Sequence, residues 1–133
     1  MKANVKWDRD LSFTGVTDSG YKTVMDGSGN AVSPMESVLL SVGACSSVDV
    51  VEILKKGRYN LVHCECELSA ERAQSAPKVF TKIHAHYIVK GEGLTDKAVA
   101  RAVSLSAEKY CSVIMMLKES VEISTSYTIQ AEE

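Results

Sequence analysis

The 133-residue chain is predicted to fold as an α+β protein. Two long stretches carry helix start and stop signals, and several shorter stretches alternate apolar and polar residues with the period of two that is typical of strands. Hydrophobic residues make up 45% of the chain, which is ordinary for a globular domain. Neither a linker nor a repeat interrupts the pattern, so we predict one domain over residues 1–133 in the order β, β, an optional third β, α, β, β, α, β.

The N-terminal region is predicted to be a small hairpin. Trp7 to Phe13 and Tyr21 to Met25 are the predicted strands, and the polar segment 17–20 joins them. The glycine-rich segment 26–30 ends the second strand as a loop.

The first helix has a clear beginning and end. Ser33 is placed to cap it, Pro34 occupies its first position, and Glu36 completes a capping box. The helix is expected to end at Lys56, with Gly57 in the left-handed conformation that a Cβ disfavours. A long, mostly apolar helix of this kind is expected to be buried centrally.

Two alternating segments follow, which predict strands over 61–71 and 79–89. The predicted inward residues of the first are Val62, Cys64, Cys66 and Leu68, and those of the second are Val79, Ile83, Ala85, Tyr87 and Val89. A second helix is expected to open at Thr95 and to continue, with a break near Ser106, to Leu117. Val121 to Ile129 is the last predicted strand.

The charge pattern excludes some partners. The net charge is −2 and the longest basic cluster is 55–58, so no nucleic acid and no anionic membrane surface is expected to bind. The first ten residues lack the apolar run of a signal peptide, and we expect no segment long and apolar enough to span a membrane. We therefore predict a cytoplasmic protein.

The four cysteines divide into two pairs. In a cytoplasmic chain they are expected to be reduced thiols, metal ligands or catalytic groups. Cys64 and Cys66 lie on the inward face of a predicted strand, where a free cysteine behaves as a small apolar residue. The three histidines, His63, His84 and His86, are expected on outward faces in solvent, so we predict no metal and no organic cofactor.

Cys45 and Cys111 are each predicted inside a helix, among small or polar residues. Small side chains let a second helix or a substrate approach closely, and two thiols can meet where helices cross. The residues alone leave two interpretations open, a functional pair and a helix crossing that needs small side chains.

Four blocks of sequence, taken in order, resemble the OsmC / organic hydroperoxide resistance family. The resemblance extends over nearly the whole chain, and the spacing of Pro34, Cys45 and Cys111 is also similar to that of the family. The blocks are Ser33-Pro34-Met35-Glu36, Val42-Gly43-Ala44-Cys45-Ser46, Pro77-Lys78-Val79-Phe80-Thr81-Lys82-Ile83 and Ala107-Glu108-Lys109-Tyr110-Cys111-Ser112-Val113.

The resemblance implies an intertwined homodimer, with two long central helices packed by antiparallel strands of both chains. It also implies a reaction in which Cys45 attacks a hydroperoxide as thiolate and becomes a sulfenic acid. Cys111 would then resolve this acid as a disulfide, and an external dithiol would reduce the pair.

The chain departs from the hydroperoxide reductases of this family at two positions. Met35 stands after the proline where they carry an acid, and the segment 13–16 lacks the arginine that resemblance would place there. Asp49 and Glu52, at i+4 and i+7, share the helical face of Cys45 and are possible supporting residues, whereas Glu36 lies on the opposite face and caps. These departures are typical of a separate branch of the family.

Three hypotheses follow. The first is a thiol-dependent reductase of hydroperoxides that uses Cys45 and Cys111. The second is a dithiol protein, such as a redox sensor or a binder of small electrophiles, without efficient peroxide turnover. The third is a dimeric protein that binds a small apolar ligand, with Met115 and Met116 as candidate lining residues. If Cys45 is reactive, its carboxylate neighbours require a compensating cation, for which Arg101 and Lys109 are candidates.

Overall fold

The computed structural model describes residues 1–131, and these form two compact units, Met1–Val38 and the chain from Leu39 onward. Both helices and strands are present, which confirms the α+β class. Whether the two units form one domain stays a prediction.

The first unit contains an antiparallel sheet with the strand order β1-β2-β3. Its strands are β1 (Ala3–Arg9), β2 (Ser12–Thr17) and β3 (Lys22–Asp26). The prediction of one strand from Trp7 to Phe13 is wrong, because the chain reverses at Asp10, which has a φ of 47°. Trp7 and Phe13 are instead cross-strand partners, and the indole Nε1 of Trp7 donates a hydrogen bond of 2.9 Å to the carbonyl of Asp10.

The first helix, α1, spans Pro34–Lys56, as predicted. The backbone N–H of Glu36 donates to Oγ of Ser33 at 3.1 Å, and the N–H of Ser33 donates to Oε1 of Glu36 at 2.9 Å. This reciprocal pair is the predicted capping box. The donated N–H and hydroxyl of Ser33 hold the pKa of the Glu36 carboxyl below its ordinary value.

The end of α1 differs from the prediction in one detail. Gly57 still donates to the carbonyl of Ile53, and it is Arg58 that takes the left-handed conformation, with a φ of 66°. The glycine is explained by packing, since a Cβ at position 57 would lie 3.1 Å from the ring of Tyr59.

The second unit contains a three-stranded sheet in the order β4-β5-β6. These strands are β4 (Asn60–Arg72), β5 (Phe80–Glu92) and β6 (Glu122–Ile129). β4 and β5 are antiparallel, but β6 runs parallel to β5, so the expectation of antiparallel strands is wrong for this pair. A parallel neighbour requires a crossover connection, and the helices between β5 and β6 provide it.

The crossover consists of α2 (Asp96–Leu105), a π-helical turn (Ser106–Tyr110) and α3 (Ser112–Leu117). The predicted break near Ser106 is confirmed. The prediction that Cys111 lies inside a helix is wrong. Cys111 lies between the π turn and α3, with extended backbone angles of φ −73° and ψ 108°.

The core of the second unit lies between its helices and β5. α1, β5 and α2 each contribute buried side chains to it: Val50, Leu54, Ala85, Tyr87, Val89, Val99, Ala102 and Val103. Two residues predicted to face inward do not, since Val62 is 64% and Val79 is 52% exposed. A register shift between Leu61 and His63 turns Val62 outward, and Val79 precedes β5.

By length and composition α1 could cross a membrane, so the expectation that no segment is long and apolar enough is wrong on those criteria. The helix carries Asp49 and Glu52, and it buries side chains of its own in the fold. Since the core helix of a globular domain passes the same test, the length of α1 does not by itself indicate a membrane span.

Candidate functional site

Cys45 lies in the middle of α1 and is partly buried. Two residues before it, Gly43 is buried against β4: a Cβ there would lie 2.6 Å from Cδ1 of Leu68. The small residue therefore lets β4 approach the helix closely. Sequence reasoning anticipated a close approach here, but the approaching element is a strand of the same chain.

Ser46 anchors the turn of α1 that follows Cys45. It is fully buried, and its hydroxyl donates to the carbonyl of Val42 at 2.7 Å. The same hydroxyl accepts a hydrogen bond of 2.6 Å from the buried phenol of Tyr87 on β5. Burial raises the pKa of Tyr87, so this phenol remains a donor at neutral pH.

Ser106 connects α1 to the segment that carries Cys111. This serine is also fully buried, and its hydroxyl lies 3.0 Å from two acceptors on α1, the carbonyl of Ser46 and Oδ2 of Asp49. Its own carbonyl accepts the N–H of Cys111 at 2.8 Å. Asp49, predicted to share the face of Cys45, therefore contacts the π turn.

Cys111 is fully buried, and its sulfur accepts a hydrogen bond of 3.4 Å from the N–H of Ile114. The pKa of its thiol is raised to about 11, chiefly by burial; the neighbouring Cys45 also raises it, while the N–H groups of Ile114 and Val113 lower it. Cys111 is therefore a protonated thiol at neutral pH.

The structure brings Cys45 and Cys111 together. Cys45 lies close enough to Cys111 to contribute to the raised pKa of the Cys111 thiol, and both cysteines are free. A partly exposed thiol and a buried, protonated thiol thus lie side by side. Two thiols in this position can be oxidised to a disulfide if their geometry permits the bond.

A groove of about 600 Å³ lies between the C-terminal half of α1 and the crossover. Both predicted acids, Asp49 and Glu52, line it together with Arg101; the remaining lining residues are Ile53, Lys56, Gly57, Leu105 and Tyr110. Tyr110 precedes Cys111 in the chain, but neither Cys45 nor Cys111 lines the groove.

The two candidate cations occupy different places. Arg101 lines the groove, and among residues 1–131 it forms no ion pair. Lys109 lies over the ring of Tyr110, with its Nζ 5.5 Å from the ring centroid. A cation over an aromatic face is held there by the ring quadrupole. Arg101 is therefore the better placed of the two to meet a bound anion.

The other two cysteines occupy the interior position predicted for them. Cys64 and Cys66 are partly buried and pack against the core. Burial raises the pKa of both thiols, that of Cys66 to about 11, with the Cys64 and Glu67 charges adding to it and a hydrogen bond with Ser47 opposing it. Both thiols are protonated at neutral pH.

The histidines lie on the outward face of the second sheet and make local hydrogen bonds. His63 contacts Glu65 at 2.9 Å, while His84 and His86 bond to hydroxyl groups of β6. Within the described part of the chain, no three side chains of the metal-binding types converge.

Sequence reasoning missed the roles of Ser46, Tyr87 and Ser106. The two serines were noticed only as small residues near the cysteines, and Tyr87 only as an apolar inward residue. A buried hydroxyl requires a hydrogen-bond partner, so polar side chains at positions predicted to be buried were the signal that could have indicated these bonds. Met115 and Met116 are exposed and do not line the groove.

Comparison with known proteins gives consistent results. Residues 27–126 match the model of the OsmC-like protein family. Protein YhfA of Escherichia coli K12 is 53% identical, over 98% of this chain and 99% of that protein. A crystal structure of a hypothetical protein from Aquifex aeolicus is 33% identical with a TM-score of 0.91, over 99% and 97% of the two chains.

A more distant structure shows the same fold. An organic hydroperoxide resistance protein OsmC from Legionella pneumophila has a TM-score of 0.72 at 16% identity, over 96% of this chain and 95% of that one. The fold and the matched residues define a protein of the OsmC type. The chain belongs to the OsmC-like family, and the resemblance found in the sequence is confirmed.

Proposed function

We propose that this protein is a thiol-dependent reductase of organic hydroperoxides that uses Cys45 and Cys111. The observation that carries the proposal is that a partly exposed Cys45 lies close enough to a buried Cys111 to raise the pKa of the Cys111 thiol. Membership of the OsmC-like family supports a redox-related role.

The roles of the two cysteines follow from their surroundings. The Cys45 thiolate attacks the distal peroxide oxygen, the O–O bond breaks, and the alkoxide leaves and takes a proton to become an alcohol. Cys111 is buried and protonated, so it donates a hydrogen bond to Cys45 first and reacts second. Its sulfur then displaces water from the Cys45 sulfenic acid to form a disulfide, which an external dithiol reduces by exchange.

Single-turnover kinetics of the reduced protein test this proposal. Thiol loss is followed with cumene hydroperoxide and with hydrogen peroxide in the wild type, Cys45→Ser, Cys111→Ser and, as a matched control, Cys64→Ser. We expect rapid loss of two thiols in the wild type and in Cys64→Ser, no rapid loss in Cys45→Ser, and a sulfenic acid that dimedone traps in Cys111→Ser. Slow loss that no substitution changes would reject the proposal.

A second candidate is a dithiol sensor that forms the Cys45–Cys111 disulfide without rapid turnover. The segment 13–16 favours it, because it lacks the arginine that the hydroperoxide reductases of this family carry there. Met35, in place of the acid of the hydroperoxide reductases, points in the same direction. Steady-state turnover with excess dithiol separates the candidates: a reductase consumes many equivalents of hydroperoxide, whereas a sensor stops after one.

The groove lined by Asp49, Glu52 and Arg101 favours a third candidate, a protein that binds a small ligand. In that case iodoacetamide would modify Cys45 no faster than free glutathione, and the Cys45–Cys111 disulfide would not form. Rapid modification of Cys45 would exclude this candidate as the main function.

We also propose that the protein works as a homodimer. One face of α1 leaves Leu40 59% and Val48 56% exposed, and a shallow apolar depression of about 310 Å³ lies around Val48 and Val51. In the first unit Trp7 is 64% exposed. Exposed apolar surfaces of this kind mark interaction sites, and a second copy of the chain is the partner that we expect.

Light scattering after size exclusion measures the oligomeric state. A dimer mass is expected for the wild type, a monomer for Val48→Asp, and a dimer for Met116→Asp, the control at an exposed apolar residue outside α1. A wild-type monomer at all concentrations would contradict the dimer.

The cytoplasmic location stays a prediction.

A further inference from the structure

The polar groups of Ser106 bond to both segments that carry the cysteine pair. Its hydroxyl lies 3.0 Å from the carbonyl of Ser46, the residue after Cys45, and 3.0 Å from Oδ2 of Asp49. Its carbonyl accepts the N–H of Cys111 at 2.8 Å. A single buried residue therefore spans the distance between the two thiol-bearing segments.

We propose that Ser106 and Asp49 form a latch that sets the position of Cys111 relative to Cys45 and thereby the stability of the disulfide between them. The latch rests on the cysteine pair of the proposed function and adds a positioning role for two residues that do not react themselves. This Ser106 latch consists of the Ser106 hydroxyl and its two acceptors, the carbonyl of Ser46 and the carboxylate of Asp49.

The geometry explains why the latch is needed. Cys111 lies outside regular helix, and the only described hydrogen bond of its N–H is the one to Ser106. Disulfides form only within a narrow range of separations, with Cα atoms about 4.4–6.8 Å apart. A loosened π turn would therefore lower the effective concentration of one thiol at the other.

Burial strengthens the effect of the latch. The Ser106 hydroxyl is out of contact with water, and its one proton is shared between a peptide carbonyl and a carboxylate. Hydrogen bonds to a charged partner are roughly twice as strong as those between neutral groups. Ser104, two residues earlier, provides a contrast because it is exposed and its hydroxyl bonds to Glu108 in the same segment, at 3.2 Å.

The test is the equilibrium of the Cys45–Cys111 disulfide with mixtures of reduced and oxidised dithiothreitol. In this exchange the two protein thiols pass two electrons and two protons to the dithiothreitol disulfide, so no other oxidant is needed. The reaction is measured on the full chain with Cys64 and Cys66 replaced by alanine, and mass spectrometry of alkylated peptides reports the oxidised fraction.

We expect Ser106→Ala to lower the equilibrium constant for the disulfide by about tenfold, because a Cys111 segment released from α1 spends less time where the two thiols can join. Ser106→Thr, which keeps a hydroxyl, should restore much of it, and Ser104→Ala should equal the parent. Circular dichroism confirms that each variant is folded. A folded Ser106→Ala with an unchanged equilibrium constant would overturn the latch.

Asp49 provides the second pair of variants, which decides the matter if Ser106→Ala does not fold. Asp49→Ala removes one acceptor and should lower the equilibrium constant, while Asp49→Asn keeps an acceptor and should lower it less. Equal values for both and the parent would reject the latch. A parent that forms no Cys45–Cys111 disulfide also rejects it, whereas one that forms the disulfide but does not reduce hydroperoxide rejects only the reductase.

Discussion

The phenol of Tyr87 on β5 donates a 2.6 Å hydrogen bond to the hydroxyl of Ser46, the residue that follows Cys45 in α1. Both groups are fully buried. The sheet is therefore tied to the helix at the turn that carries the proposed nucleophile.

Replacement of Tyr87 by phenylalanine removes this bond without removing the ring. The Ser46 hydroxyl still donates to Val42, so we expect the free energy of unfolding to fall by about 1 kcal/mol. Urea denaturation of the reduced protein at fixed concentration measures it. Tyr127→Phe is the matched control, because its phenol bonds to Asp96 at an exposed position. An equal loss in both variants would show that burial of the Tyr87 hydroxyl is unimportant.

Two glycines of the second unit should respond differently to alanine. An added Cβ would lie 2.6 Å from a side-chain methyl of Leu68 at Gly43, and 2.6 Å from the backbone carbonyl of Asn60 at Gly91. The leucine can move and the carbonyl cannot, so Gly43→Ala should lower stability by about 1 kcal/mol and Gly91→Ala by at least about 3 kcal/mol. Urea denaturation compares them, and the reverse order would contradict the structure.

Alkaline pH should weaken the fold through its buried thiols. The pKa of Cys111 is raised to about 11 from an ordinary value of 9.0, so unfolded chains lose this proton at lower pH than folded ones. The contribution of the protonated thiol is complete below pH 9 and is lost as the pH rises to 11. Unfolding measured from pH 8 to 11 should show the decline, and Cys111→Ala should reduce its slope. An unchanged slope would mean that Cys111 ionises alike in both states.

The capping box of α1 should give the opposite dependence at acid pH. The pKa of Glu36 is lowered by the N–H and hydroxyl of Ser33, so its contribution is present above its ordinary value of 4.5 and is lost as the pH falls through the lowered value. Glu36→Gln should flatten stability between pH 5 and 3. Ser33→Ala should lower stability by about 1 kcal/mol at pH 7. Ser75→Ala, at an exposed position outside the box, is the control for general loss of a hydroxyl.

Local patterns predicted most of the elements. The capping box at Ser33 and Glu36 placed the start of α1 correctly, because its signals lie within four residues of one another. The turn at Asp10 was missed, since an aspartate in the left-handed conformation lacks the glycine that usually marks such a turn. Trp7 and Phe13, which lie on either side of this turn, are both typical strand residues, so they gave no sign that one strand ended and another began between them.

Contacts between residues far apart in the sequence could not be predicted from local patterns. The residues around Cys45 and Cys111 distinguished this pair from the other cysteines, but they did not indicate that Ser106 bonds to both segments. That bond joins residues far apart in the sequence, and nothing in either segment specifies the other. The parallel pairing of β6 with β5 escaped for the same reason, because its alternation of apolar and polar residues is the same in either direction.

The parallel pairing also determines when the thiols can meet during synthesis. Cys45 leaves the ribosome early, whereas Cys111 lies in the crossover that only β6, the last strand, closes. A nascent or truncated chain without β6 has no closed crossover to hold Cys111 in place. The proposed reaction of the two cysteines therefore requires β6, and a chain without this strand would carry Cys45 without Cys111 held beside it.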